Sequence, residues 1–164
     1  MEEYDVPIYG MKEGVYEYGF TAGMEFFEYF GNPDLTTGSL EILLKVVRRS
    51  QFLEFHFEVR GTLRVVCDRC LEEFDYPVES SELLYLRFGE GYEEVDDNVL
   101  VIPKEESKFN IAQHVYEYAM LSLPLQKTHP DGRCNPEMLK KLEDHRRLKP
   151  EETDPRWDIL KKLN

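Results

Sequence analysis

The segment Phe52-Leu53-Glu54-Phe55-His56-Phe57-Glu58-Val59-Arg60-Gly61-Thr62-Leu63-Arg64-Val65-Val66-Cys67 decides the fold. Its odd positions Leu53, Phe55, Phe57, Val59, Leu63, Val65 and Cys67 are apolar, and its even positions include Glu54, His56, Glu58, Arg60 and Arg64. Alternation with a period of two, held this long, puts one face of a strand on a core and the other in water. Gly61 in the middle predicts a bulge or a sharp bend that lets a long strand curl. Upstream, Leu40, Ile42, Leu44 and Val46 share one strand face, with Glu41 and Lys45 opposite. Further upstream Tyr16, Tyr18 and Phe20 alternate with Glu17, Gly19 and Thr21. Met24 to Phe30 is a short aromatic run closed by the turn signal Gly31-Asn32-Pro33-Asp34. Downstream, Tyr76, Val78, Leu84, Leu86 and Phe88 lie on one face of another strand. Glu90 to Asn98 reads as an acidic loop, and Val99 to Ile102 as a last strand before Pro103. Long strands joined by short turns predict a strongly curved antiparallel sheet or a partly open barrel.

The period changes at Asn110. With Asn110 as N-cap, Ile111, Val115, Tyr118 and Ser122 fall on one helical face, and Ala112, Tyr116 and Ala119 on the adjoining one. This predicts a helix over about 110–122, stopped by Pro124. Residues 127–135 form a turn-rich link, and Pro136 to Arg147 reads as a second helix with Asn135 as N-cap and Pro136 in its first turn. Asp154-Pro155 repeats that signature before Trp157, Leu160 and Leu163. A helix so short is unstable alone, so its apolar stripe needs a surface. The expected fold class is α+β: a body over 1–126 with one packed helix, and a helical tail over 127–164 docked on the same domain.

The chain has 164 residues and a formal net charge of −13. Residues 1–126 hold 10 Lys/Arg against 25 Asp/Glu, a net of −15, whereas 127–164 hold 10 against 8, a net of +2. An acidic body repels phosphate backbones at long range and favours basic proteins as partners; it also keeps a protein soluble without any partner. No apolar run reaches the roughly 18 residues that a membrane-spanning helix requires. The acidic start Met1-Glu2-Glu3-Tyr4-Asp5 lacks an apolar core and predicts no signal peptide, hence a cytoplasmic protein with reduced thiols.

All three cysteines fall in two short turns. Cys67-Asp68-Arg69-Cys70 is a CxxC at a strand end, and His129-Pro130-Asp131-Gly132-Arg133-Cys134 has a ligand type at each end. Together they can supply a tetrahedral Cys3His shell for zinc. The same residues read equally as three reduced cysteines packed as small hydrophobes beside a surface histidine. A redox CxxC is the third reading; it fits poorly after a strand and before acidic Glu72-Glu73, because such thiols sit at helix N-termini. Arg48, Arg49, Arg60, Arg64 and Arg69, with Lys45, Lys140, Lys141, Arg146 and Arg147, could form a phosphate-facing strip for RNA; the plainer reading is that they pair with the many carboxylates. No phosphate loop, nucleophile elbow or HExxH is present, so neither an enzyme nor a small-molecule substrate is expected.

The stretch from Val59 through Cys67-Asp68-Arg69-Cys70-Leu71-Glu72 resembles the central signature of the YceD family, bacterial and plastid proteins of large ribosomal RNA subunit accumulation. Leu123-Pro124 followed by His129 and Cys134, and Asp154-Pro155-Arg156-Trp157 with Leu160 and Leu163, are similar to that family's later segments. The N-terminal part matches only in strand pattern and aromatic content. The resemblance implies a non-enzymatic role in ribosome assembly, with a basic ribosomal protein or an rRNA-processing factor as partner. It also favours zinc, held structurally by Cys67, Cys70, His129 and Cys134.

Overall fold

The computed structural model describes residues 1–147 apart from 33, 34 and 131, with the side chains of Thr36 and Arg147 also outside the description. The anticipated helix at Asp154 to Leu163 lies outside the described residues. Alternation yields the strands where it is strongest: β2 (Gly14–Ala22), β3 (Leu35–Arg48), β4 (Phe52–Val66) and β5 (Glu73–Gly89) follow one another as antiparallel neighbours. β6 (Glu93–Asp96) and β7 (Val99–Pro103) complete a six-stranded sheet in the order β2-β3-β4-β5-β7-β6. β1 (Asp5–Pro7) pairs separately with β8 (Lys108–Asn110).

Four expectations are corrected. The sheet is mixed, because β7 runs parallel to β5, Leu86 opposite Leu100 and Phe88 opposite Ile102. It is open, ending at β2 and β6, and does not close into a barrel. The acidic stretch is not wholly loop: Glu93 to Asp96 form β6, which pairs with β7 as the outermost strand. Gly61 is also no bulge, since register runs unbroken through Leu40, Gly61 and Val78. Its reason is proximity. A Cβ at position 61 would lie 2.0 Å from the Ser39 carbonyl oxygen and 2.9 Å from the Leu40 Cα, so β3 passes too close for any side chain.

The core lies on one face of the sheet. Leu40, Ile42, Leu44 and Val46 of β3 meet Leu53, Phe55, Phe57, Val59, Leu63 and Val65 of β4 and Val78, Leu84 and Leu86 of β5, all buried. Helices cover this face, the layering expected when one sheet face must be kept from water. α1 (Met24–Phe30) was not foreseen in an aromatic run. Its signals are Phe26, Phe27 and Phe30, spaced one and four apart, and Gly31 in the left-handed conformation at its end (φ 63°). α2 (Ala112–Leu121) forms as expected and buries Ala112, Val115 and Ala119. Asn110 Oδ1 accepts the Ala112 N–H at 3.0 Å. Stacked rings of Phe30 and Tyr116, 4.2 Å apart and 10° from parallel, join the two helices. Tyr4, Val6 and Ile8 seal the remaining edge of the core, with the Tyr4 hydroxyl donating to the Thr21 carbonyl at 2.8 Å. α3 (Pro136–Arg147) begins as its cap predicts: Asn135 Oδ1 accepts the Glu137 N–H at 2.9 Å and the Met138 N–H at 3.4 Å. From Pro136 to Arg146 only Met138 is half-buried, and the other positions are exposed.

The strand crossing at Gly61 gives a direct test. Gly61→Ala is expected to cost about 3 kcal/mol in a urea melt, the upper range for overpacking. Gly19→Ala, whose Cβ would meet nothing within 4 Å, should fall within about 0.5 kcal/mol of the parent. Equal effects at the two positions would contradict the close-approach explanation.

Candidate metal centre

The longest hairpin of the sheet, β4 to β5, is closed by residues 67–72. Cys67 donates its N–H to the Glu72 carbonyl and Leu71 donates to the Cys67 carbonyl, both at 2.9 Å. The turn needs a left-handed residue, and Leu71 supplies it at φ 61° despite its side chain. That conformation costs a non-glycine residue about 1–2 kcal/mol. The fold thus tolerates strain to present Cys67 and Cys70 from one short loop.

The segment after α2 meets this loop through a reciprocal pair of hydrogen bonds. Asp68 donates its N–H to the Lys127 carbonyl at 2.7 Å, and the Lys127 N–H returns to Asp68 Oδ2 at 2.6 Å. Asn135 Nδ2 adds a bond to Glu72 Oε1 at 2.7 Å, and the His129 ring lies on Phe74 with centroids 4.4 Å apart. Between these anchors the chain turns back on itself, with Arg133 donating to the Pro130 carbonyl at 3.1 Å and Gly132 left-handed at φ 80°. None of these anchors was signalled by the metal-ligand spacing.

The two turns bring Cys67, Cys70, His129 and Cys134 together, with one ligand atom of each within 4.8 Å of all the others. Cys67 Sγ is 3.8 Å from Cys134 Sγ, Cys70 Sγ is 3.4 Å from His129 Nδ1, and Cys134 Sγ is 3.9 Å from the same nitrogen. A tetrahedral zinc shell requires sulfurs about 3.8 Å apart and a sulfur and nitrogen about 3.6 Å apart. The residues present therefore fit the ion. All three cysteines are free thiols; Cys67 and Cys70 are buried and Cys134 is half-buried. Burial pushes the Cys67 thiol up, but the backbone N–H groups of Cys70, His129 and Arg69, helped by the His129 side chain, outweigh it and hold the thiol at about 6. Cys134 is pushed up to about 11, first by burial and then by its hydrogen bonds to Cys67 and Cys70 and by their charge. Three clustered sulfurs repel one another as anions, and a divalent cation among them removes that conflict. A low thiol pKa also suits redox chemistry, yet Cys67 is 0% exposed, out of reach of a protein disulfide.

The arginines proposed for phosphate contact do not form a free strip. Arg49 pairs with Glu54 at 3.1 Å, Arg60 with Glu79 at 3.0 Å and Glu58 at 3.6 Å, and Arg64 with Asp75 at 3.2 Å and Glu73 at 3.4 Å. The pairs of Arg60 with Glu79 and of Arg64 with Asp75 and Glu73 link β4 to β5 on the wet face. Arg69 stands exposed at the tip of the CxxC turn. Arg48 alone lies on the other face, its guanidinium 4.7 Å from the centroid of the Phe88 ring.

The clasp between the two turns is separable from any ion. Asp68→Ala removes the acceptor for the Lys127 N–H and is expected to cost about 1 kcal/mol and to speed amide exchange at Lys127. Asp68→Asn retains an acceptor oxygen and should preserve most of both; identical behaviour of the two variants would rule out the clasp.

Against known proteins, the family model described as large ribosomal RNA subunit accumulation protein YceD matches residues 55–164. No curated protein and no solved structure matches the chain. The matched span begins within β4 and takes in both ligand turns. With two-thirds of its length in that match and the signature turn closing its central hairpin, the chain belongs to the YceD family.

Proposed function

We propose that this protein is a non-enzymatic ribosome-biogenesis factor that supports accumulation of large-subunit ribosomal RNA. It acts through protein–protein contacts, with Cys67, Cys70, His129 and Cys134 holding a structural zinc. The convergence of those four ligand atoms within 4.8 Å, from turns almost 60 residues apart, carries the reading. Four protein ligands leave no open coordination position, so the ion serves architecture rather than hydrolysis. It fixes the start of α3 against the tip of the central hairpin, in the docked arrangement of body (1–126) and tail (127–164). Here the net charge changes from −15 over residues 1–126 to +2 over 127–164. The acidic body suits a basic ribosomal protein or an rRNA-processing enzyme in the cytoplasm. No described helix is long and apolar enough to cross a membrane. Direct RNA binding through the strip of Arg48, Arg49, Arg60, Arg64 and Arg69 is disfavoured, because Arg49, Arg60 and Arg64 already neutralise neighbouring carboxylates.

Two measurements test the reading. Elemental analysis of full-length protein purified without an affinity tag should find one zinc per chain, reduced well below one by Cys134→Ser. Zinc should be released as pH falls, since protons compete with zinc for the thiolates. Affinity capture followed by mass spectrometry should recover basic ribosomal or rRNA-processing proteins after nuclease digestion. Recovery abolished by nuclease would favour RNA contact, and recovery of neither protein class would overturn the assembly role.

A further inference from the structure

The residue that breaks the pattern of β3 is Arg48. Its row mates Leu40, Ile42, Leu44 and Val46 are all buried on the core face, and the same spacing puts an arginine at the fifth place. It is half-buried, and its Nη1 is enclosed with no hydrogen-bond partner among the described residues. Arg49, Arg60 and Arg64 each have a carboxylate within 3.2 Å, although Arg49 and Arg60 are exposed and lose less by standing alone. An enclosed guanidinium N–H edge without a partner costs stability, and 33 Asp/Glu were available to supply one.

The space beside Arg48 is a cavity of about 340 Å³. Ile8, Met11 and Phe88 make its apolar wall, and Lys104 brings a second cation. The acid on its lining, Glu106, already accepts a hydrogen bond from the Tyr92 hydroxyl. Phe88 holds the guanidinium by its ring face, which fixes the plane of the fork and leaves edge N–H groups to bind.

We infer that this cavity is a binding site for an anionic group, a carboxylate or a phosphate, carried on a ligand with an apolar body. Arg48 is the anion anchor, Lys104 adds charge from the rim, and Ile8, Met11 and Phe88 take the apolar part. A planar fork of donors matches either oxyanion, so the chemistry is shared and the source is decided by experiment. The site is independent of the zinc reading. Arg48 also precedes residues 55–164, the part of the chain that carries the family match.

The test is titration of the isotope-labelled full-length chain with benzoate and with phenyl phosphate, following the amides of Gly10, Arg48 and Phe88 by NMR, with benzylamine as the cationic counterpart. One anion or both should give saturable shifts by about 10 mM, the range of a millimolar ligand; the tighter one identifies the group. Arg48→Met removes the guanidinium but keeps an unbranched apolar side chain of similar length beside Phe88, and should weaken that binding at least about tenfold with the spectrum otherwise preserved. Lys104→Gln, at an exposed site where folding is not in question, should weaken it by a smaller factor. No saturable shift from either anion overturns the proposal. So does equal binding of benzylamine, or an affinity unchanged in both variants.

Discussion

The meeting of Asp68 and Lys127 governs the arrangement of the site, because it joins two parts of the chain that no local signal connects. Its two backbone N–H groups point in opposite directions across the contact and each finds an oxygen, at 2.7 and 2.6 Å. The described segment after Lys127 starts from this pair and is held further by Asn135 on Glu72 and His129 on Phe74: the turn that bears His129 and Cys134, the cap at Asn135 and the start of α3. Ligands brought close by protein bonds lose less freedom when an ion arrives, so part of the ordering cost is met by folding itself. The same bonds, and a sheet core of large aliphatic and aromatic side chains, hold the arrangement with protein contacts alone.

Charge explains the remaining surface. Ion pairs between neighbouring strands on the wet face use arginine to link β4 to β5, through Arg60 to Glu79 and Arg64 to Asp75. Such exposed pairs add little stability individually. Their larger effect is to cancel local positive potential, which leaves an acidic body with few places to receive a phosphate backbone. Arg48 differs because it faces the opposite side and meets an aromatic ring in place of an acid.

The strands of the central sheet were legible wherever one face is buried and the other wet, since alternation in Leu40 to Val46 and in Leu53 to Cys67 is a direct imprint of that environment. The pairing of the two Cys/His turns was legible for a chemical reason: thiols and an imidazole at turn spacing are the residue types that can share one cation, and the structure brings Cys67, Cys70, His129 and Cys134 together. What escaped is non-local. Strand β7 reads as a strand in sequence, yet its parallel partner β5 is chosen by a crossover that no residue announces. β1 and β8 are three residues each, too short for periodicity to register. The helix at Met24 was hidden because aromatic side chains favour strands, and only the buried Phe26 and Phe27 show tertiary packing prevailing. Gly61 was correctly marked as special, but the expected bulge is absent and the close approach of β3 escaped, since a neighbour's backbone lies outside the strand's own sequence.

Strand β6 carries a consequence for self-association. Glu93, Glu94, Val95 and Asp96 are all exposed at the sheet's border, and β6 has no outer partner strand among the described residues, so three carboxylates guard this edge. A second molecule adding its own ribbon there would bring like charges into register and strip them of water. The stretch that reads as an acidic spacer therefore disfavours edge-to-edge pairing with a second sheet.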